Sequence, residues 1–280
     1  MNWLNAFGET VQTQPEALRG FGVAKDMEPT KPSAFQGTGE ALEKALPFSF
    51  YQSLSGVNEL MADRVEVNYD LDNNEDAFSD FKPTQEQKEQ VAARLRDDAK
   101  FARLKAQNDY TPNPETTGQA AMMIHGLTGS LAKAIGYTVA TGGSGILAAP
   151  LFGADLGLYE AGKLRDKGVD ASIARTAGAI TGSVNAVGMA LPGAVGTSYV
   201  KSILFGGAVN PLTDISEQAS IKFVLDNANY SKQAQEYDPF DPVNLGVSAG
   251  MGIAFGALGA RANRAQARYL ETEAATQPSA

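Results

Sequence analysis

The sequence predicts an all-α protein of helical hairpins or a bundle, with Gly-rich, weakly apolar helices behind a more irregular, acidic N-terminal part. Three observations carry this expectation. Apolar residues recur three and four apart through most of the second half, the spacing of one helix face. Glycines and prolines punctuate those runs where helices have to end. No convincing stretch alternates apolar and polar residues as a half-buried strand would.

From the N-terminus, Trp3, Leu4, Phe7 and Val11 suggest a short amphipathic helix that docks on a larger body. The segment has no basic start and no long apolar run, so no Sec signal is expected. Residues 20–39 carry Pro29, Pro32 and several glycines and read as a linker. Residues 66–80 are acidic and polar and read as a solvated loop. A helix is predicted over 84–107, where Thr84 and Gln87 have capping-box spacing and Val91, Leu95, Ala99 and Ala102 recur at helical intervals. Pro112 and Pro114 end it.

The next helix covers roughly 117–140, marked by Met123, Ile124, Leu127, Leu131 and Ile135, and Thr141–Gly145 breaks it. An antiparallel hairpin follows over 151–191. Its first helix ends in Lys163, Arg165 and Lys167, cations suited to the negative end of the helix dipole. Gly168 suits the left-handed residue beyond that end, and Asp170 the cap of the second helix, which runs to Pro192. Another helix is expected to start near Asp214, where Asp214 and Glu217 again have capping-box spacing. A last apolar segment spans 243–260, and 261–280 reads as a helical, then disordered, tail.

Composition divides the chain at about residue 116. Residues 1–116 hold 20 acids and 12 bases, a net of −8, while 117–260 hold 10 and 8, a net of −2, within a total of −9. Of 29 glycines, 23 fall between Gly118 and Gly259. The domain reading is an acidic region 1–116, a Gly/Ala-rich helical region 117–260 and the tail 261–280. Three stretches of 21, 25 and 19 residues lack charge, after Lys133, Arg175 and Asp241. Each is near the length of a bilayer-spanning helix, about 20 residues. Their Gly, Ala, Ser and Thr content makes them only marginally insertable, so membrane association is expected to be conditional.

Small-xxx-small spacing is the main positional signal. Gly153 and Gly157, Gly178 and Gly182, Gly246 and Gly250, and Gly252 and Gly256 each lie four apart. On a helix such pairs share a face and let another backbone approach closely. These eight glycines are the candidate helix-packing residues.

Signals for chemistry are weak. The chain has no cysteine and one histidine, His125. That leaves no thiol nucleophile, zinc ribbon or iron–sulfur ligand set. Gly157, Gly162 and Lys163 have phosphate-loop register, but Leu164 stands where Ser or Thr would ligate magnesium. Residues 250–256 resemble a dinucleotide fingerprint with one residue too many. Asp70, Asp72 and Asn74 open a calcium-loop pattern that Glu75 and Phe81 break. Met122, Met123 and His125 read as helix packing. No basic stripe points to sequence-specific nucleic-acid binding. No catalytic, cofactor or metal residues are assigned, and no cofactor is expected.

Three stretches together carry a family resemblance: DYTPNPETTG at 109–118, GADLGLYEAGKLRDKGVDASIARTAGAITGSVNAVGMALPG at 153–193, and FVLDNANYSKQAQEYDPFDPVNLGVSAGMGIAFGALG at 223–259. In these the chain resembles internal virion, or ejection, proteins of tailed bacteriophages and related prophages, over about 109–260. The resemblance implies a non-enzymatic virion protein that assists genome ejection through the host envelope, made in the bacterial cytoplasm and stored in the virion interior. Its implied partners are other ejection proteins, in homo- or hetero-oligomers, and conditionally the host inner membrane. In that family such a region often adjoins a cell-wall-degrading domain, which this chain does not recognisably carry. Two alternatives stay open: a non-catalytic part of a phage peptidoglycan-degrading virion protein, and a bacterial membrane-active protein.

Overall fold

The structure, a computed structural model, describes residues 31–67, 84–195 and 197–276. Among these residues it is all-α, with eight helices: α1 Thr38–Val67, α2 Gln85–Asp109, α3 Gln119–Ala140, α4 Gly145–Asp166, α5 Ala171–Ala194, α6 Tyr199–Asn227, the single turn α7 Ser231–Ala234, and α8 Pro242–Thr276. The expected helix at Trp3–Val11, the loop that follows Val67 and the final four residues lie outside the described residues.

Local chemistry sets most boundaries. Thr84 caps α2 through a complete capping box, its hydroxyl accepting from the Gln87 amide at 3.2 Å while the Gln87 side chain accepts from the Thr84 amide at 2.8 Å. The α4–α5 turn is a Schellman end. Gly168 has φ +79°, its amide donates to the Arg165 carbonyl at 2.9 Å, and the Val169 amide donates to that of Leu164 at 3.1 Å. Val169 then packs on Leu164, both buried, and Asp170 caps α5 by accepting from the Ser172 amide at 2.8 Å. At the end of α6, Asn229 takes the left-handed position with φ +65°.

Three expected boundaries are corrected. No helix begins at Asp214; α6 begins at Tyr199, capped by Ser198, and runs through Pro211. Asp214 and Glu217 face the interior from the middle of that helix, because residues three apart on a helix share a side whether or not they form a cap. Likewise α4 begins at Gly145, and Pro150 lies in its interior. Residues 33–39 are not a free linker. The Gly118 amide donates to the Gln36 carbonyl at 2.9 Å, the Ala121 amide donates to that of Ala34 at 3.2 Å, and Thr38 already opens α1.

Helix α1 was not foreseen. Its buried face is made of Ala41, Ala45, Ser49, Ser55, Glu59 and Ala62, while Leu42, Leu46, Phe50, Leu54, Val57 and Met61 point outward. The rest follows suit: alanine supplies 16 of the 26 buried apolar side chains among the described residues. Two clusters hold the larger ones. One joins Leu164, Ala177, Ile221, Leu225 and Tyr237, and the other joins Phe152, Met189, Met251 and Phe255.

The charge division at residue 116 is not a packing division. Helices α1 and α2 pack on α3 and α4, and an ion-pair network lies in the seam. Arg103 of α2 is 3% exposed at its side chain and contacts Glu59 of α1 at 2.8 Å. It also grips Asp166 of α4 with two parallel bonds of 2.7 and 3.0 Å. Arg165 reaches Glu59 from the other side, and Arg96 holds Glu66 and Asp63. A second pair, Lys133 to Asp155 at 2.7 Å, joins α3 to α4, and the Ser53 hydroxyl of α1 donates to the same carboxylate at 2.9 Å. Removing one partner of a buried pair leaves an unmatched charge, which costs about 3–5 kcal/mol. Arg103→Ala is therefore expected to destabilise the whole chain by about that amount in a denaturant melt. The exposed i,i+4 pair Lys105–Asp109 serves as the comparison, and Lys105→Ala should cost much less than Arg103→Ala.

Candidate functional site

The eight singled-out glycines fall at three helix interfaces. Gly153 and Gly157 of α4 face Gly182 and Gly178 of α5, and backbone meets backbone. A Cβ on Gly157 would overlap the Gly178 carbonyl oxygen, one on Gly178 would overlap that of Gly157, and one on Gly182 would lie 3.0 Å from that of Gly153. On α8 the glycines serve two neighbours. Gly252 and Gly256 lie against the carbonyls of Gly206 and Ser202 on α6. Gly246 and Gly250 accommodate side chains of α3, Met123 and Leu127, whose nearest atoms would lie 2.6 and 3.2 Å from an added Cβ.

This geometry explains the near-miss phosphate loop. Gly157 is fixed by α5, Gly162 clears room for the Arg103 guanidinium, and Lys163 pairs with Glu160 at 3.0 Å. The fingerprint-like 250–256 is likewise accounted for by packing on α3 and α6. His125 is buried, with its Nε2 3.0 Å from the Tyr110 carbonyl and its ring edge-on to Phe48. Burial holds its pKa below the usual histidine value. Among the described residues, no group of three or more His, Cys, Asp or Glu side chains could hold a metal ion.

Sequence reasoning missed the polar cavity at the centre. It has a volume of about 240 Å³ and lies between α4, α5, α6 and α8, with Phe152, Met251 and Phe255 forming apolar wall. Glu160, Asp214 and Glu217 line it, and no lysine, arginine or histidine does. Burial raises Glu217 to about 8, and the like charges of Asp214 and Glu160 push the same way. Asn185 partly offsets this by donating to Glu217 Oε2 at 3.0 Å. Burial, with Asp241 nearby, raises Asp214 to about 6. Glu160 behaves differently. Burial opposes its charge, but Lys163 and the Tyr237 hydroxyl overcome that and hold it below the ordinary glutamate value. Near neutral pH the cavity thus favours the protonated form of Glu217 and the ionised form of Glu160.

The three charge-free stretches also look different once folded. The first folds back at Gly142 and Gly143, with φ +69° and +90°, so it forms two half-length arms. The second is interrupted between Ala194 and Tyr199. The third lies within α8. Over Pro242–Tyr269, α8 is long and apolar enough to cross a membrane by length and composition, its most apolar 18-residue window having a mean hydropathy of 1.5.

Two predictions follow from these positions. Gly157→Ala should lower stability by about 1–3 kcal/mol, because its Cβ meets backbone that cannot rotate away. Gly136→Ala on α3 meets nothing within 4 Å and should raise stability by about 0.5–1 kcal/mol. Thermal melts of the two variants would show it. The second prediction concerns pH. Folded Glu217 keeps its proton up to about 8, whereas the unfolded chain loses it near 4.5, so stability is lost as pH rises across that window. Glu217→Gln should remove this loss, and its advantage over the parent should grow from near zero at about pH 4.5 to the order of 1–3 kcal/mol at about pH 8.5. His125 acts oppositely, withdrawing stability as pH falls below its ordinary value, but it is common to both chains and cancels in the difference.

In comparisons with known proteins, no family model matches the chain, and no curated protein and no solved structure matches it significantly.

Proposed function

We propose that the chain is a non-enzymatic bacteriophage virion protein that assists genome ejection by assembling, with copies of itself or other ejection proteins, into a helical conduit or membrane-associated assembly in the host envelope. The observation that supports this reading is the reversal of side-chain size across its helices. Alanine and glycine fill the interfaces inside the chain, while large apolar residues line its outside. On α1 the outward seam of Leu42, Leu46, Phe50, Leu54, Val57 and Met61 advances three or four residues per step over nearly the whole helix. Phe101 and Leu104 of α2 and Val200, Leu204 and Leu212 of α6 add further exposed apolar surface. Contiguous apolar surface of this kind marks faces that other proteins or lipid cover.

The resemblance of residues 109–260 to ejection proteins gives the assembly its context. A chain delivered through a narrow tail has to close on itself with modest, replaceable contacts and keep bulk available for partners met later. Small-residue interfaces do the first and the outward seams do the second. The lack of a basic stripe gives no support to a nucleic-acid partner.

The test is the composition of the particle. Mass spectrometry of purified virions from a phage or induced prophage encoding this chain should detect it, and particles emptied of DNA in vitro should have lost it. Its absence from intact virions would overturn the reading.

A further inference from the structure

Among the described residues, the turn between α3 and α4 carries the most exposed large aliphatic side chains. Val139 is 73% exposed and Ile146 is 78% exposed, and Ile135, Leu147 and Leu151 stand out beside them. The turn projects freely, since a Cβ on Gly136, Gly142, Gly143 or Gly145 would meet nothing within 4 Å. No charge occurs between Lys133 and Asp155. Those two residues close the base by pairing with each other, each 4% exposed or less at its side chain. At a 1.5 Å rise per residue, the arms from that pair to the turn are about 12–16 Å long. One leaflet of bilayer hydrocarbon is about 15 Å deep.

Several polar groups of the turn bond back within it. The Thr138 hydroxyl donates to the Ala134 carbonyl at 2.7 Å, and the Thr141 hydroxyl lies 2.9 Å from the carbonyls of Tyr137 and Ser144. The Gly142 and Gly143 amides donate to the Val139 and Thr138 carbonyls at 3.0 and 2.8 Å. The Ser144 hydroxyl accepts from the Leu147 amide at the start of α4.

We propose that the α3–α4 turn is a membrane-insertion tip whose exposed Val139, Ile146 and Leu147 enter the hydrocarbon of one leaflet. This deepens the reading above, on which it rests for a membrane partner, by naming the segment that meets the lipid. The occupant is lipid rather than a protein groove, because the apolar side chains flank the turn on both arms and the uncharged length matches a leaflet. Insertion is apolar in origin. The rest of the chain is acidic, so anionic headgroups add repulsion and zwitterionic ones do not.

The experiment is flotation of the full chain with vesicles of phosphatidylcholine, and with vesicles of phosphatidylethanolamine and phosphatidylglycerol. The parent chain should float with both, at least as well with the first, and with little loss in high salt. Val139→Asp combined with Ile146→Asp should cut vesicle partitioning by about tenfold or more while leaving the melting temperature unchanged, since both side chains are exposed in the folded chain. Leu46→Asp with Phe50→Asp on the α1 seam should float like the parent. Ile146→Trp, made with Trp3→Phe so that it is the sole tryptophan, should shift its fluorescence to the blue when phosphatidylcholine vesicles are added. The proposal is overturned if the parent floats with neither vesicle, if the tip pair floats like the parent, or if the α1 pair loses flotation equally. Self-association that depends on the tip, without flotation, would overturn it in favour of a second copy of the chain as occupant. Flotation is read on purified chain, so it can succeed or fail independently of whether the chain occurs in virions.

Discussion

Helix α4 approaches α5 most closely where glycine faces glycine, and much of the architecture depends on that. Gly153 and Gly157 meet Gly182 and Gly178 so closely that the carbonyl oxygens occupy the space a methyl group would take. This approach brings the two helices together without bulk between them. It leaves Leu164 and Ala177 free to pack on Ile221 and Leu225 of α6 at one end, and Phe152 on Phe255 of α8 at the other, with ring centroids 6.0 Å apart. The same device recurs between α8 and α6, where Gly252 and Gly256 lie over the carbonyls of Gly206 and Ser202. Close approach gains dispersion contacts and gives up large side chains, so the core is small in volume and the large side chains face outward.

With so little apolar volume inside, ionic contacts help fix which helix sits where. Arg103 can satisfy Glu59 and Asp166 together only if α1, α2 and α4 are in one register. The space for its guanidinium exists because residue 162 is glycine. Buried pairs of this kind add little net stability, and we read them here as setting register. The cavity is the counterpart: three carboxylates line it without a cation in its wall, and burial, helped by the like charges, holds Glu217 toward its protonated form.

Much of the fold was legible in the sequence where local chemistry acts alone. The capping box at Thr84, the stop at Pro112 and the Gly168–Asp170 turn each depend on a few neighbouring residues, and α2 and the α4–α5 hairpin lie close to where those residues put them. The spacing of the eight glycines could be read, but not their partners, because nothing in a four-residue interval says that Gly252 meets α6 while Gly250 meets α3. The apolar residues of α1 recur at helical spacing, so the helix itself was within reach of the sequence; its orientation was not, because Ser49, Ser55 and Glu59 are inside while Phe50 is outside. Asp214 and Glu217 misled because the i,i+3 spacing of a cap is also the spacing of two acids facing one cavity. The ion-pair network pairs residues up to 106 apart in sequence, as with Arg165 and Glu59, which no local pattern reveals.

The central claim is that side-chain size is reversed, with large apolar groups outside and small ones within. Hydroxyl-radical footprinting of the purified chain, read residue by residue on its phenylalanines, tests this most directly. The account predicts strong labelling of Phe50, Phe101 and Phe223, which are 62%, 65% and 68% exposed, and protection of Phe152 and Phe255, at 2% and 5%. Protection of the first three together with labelling of Phe152 and Phe255 would contradict it.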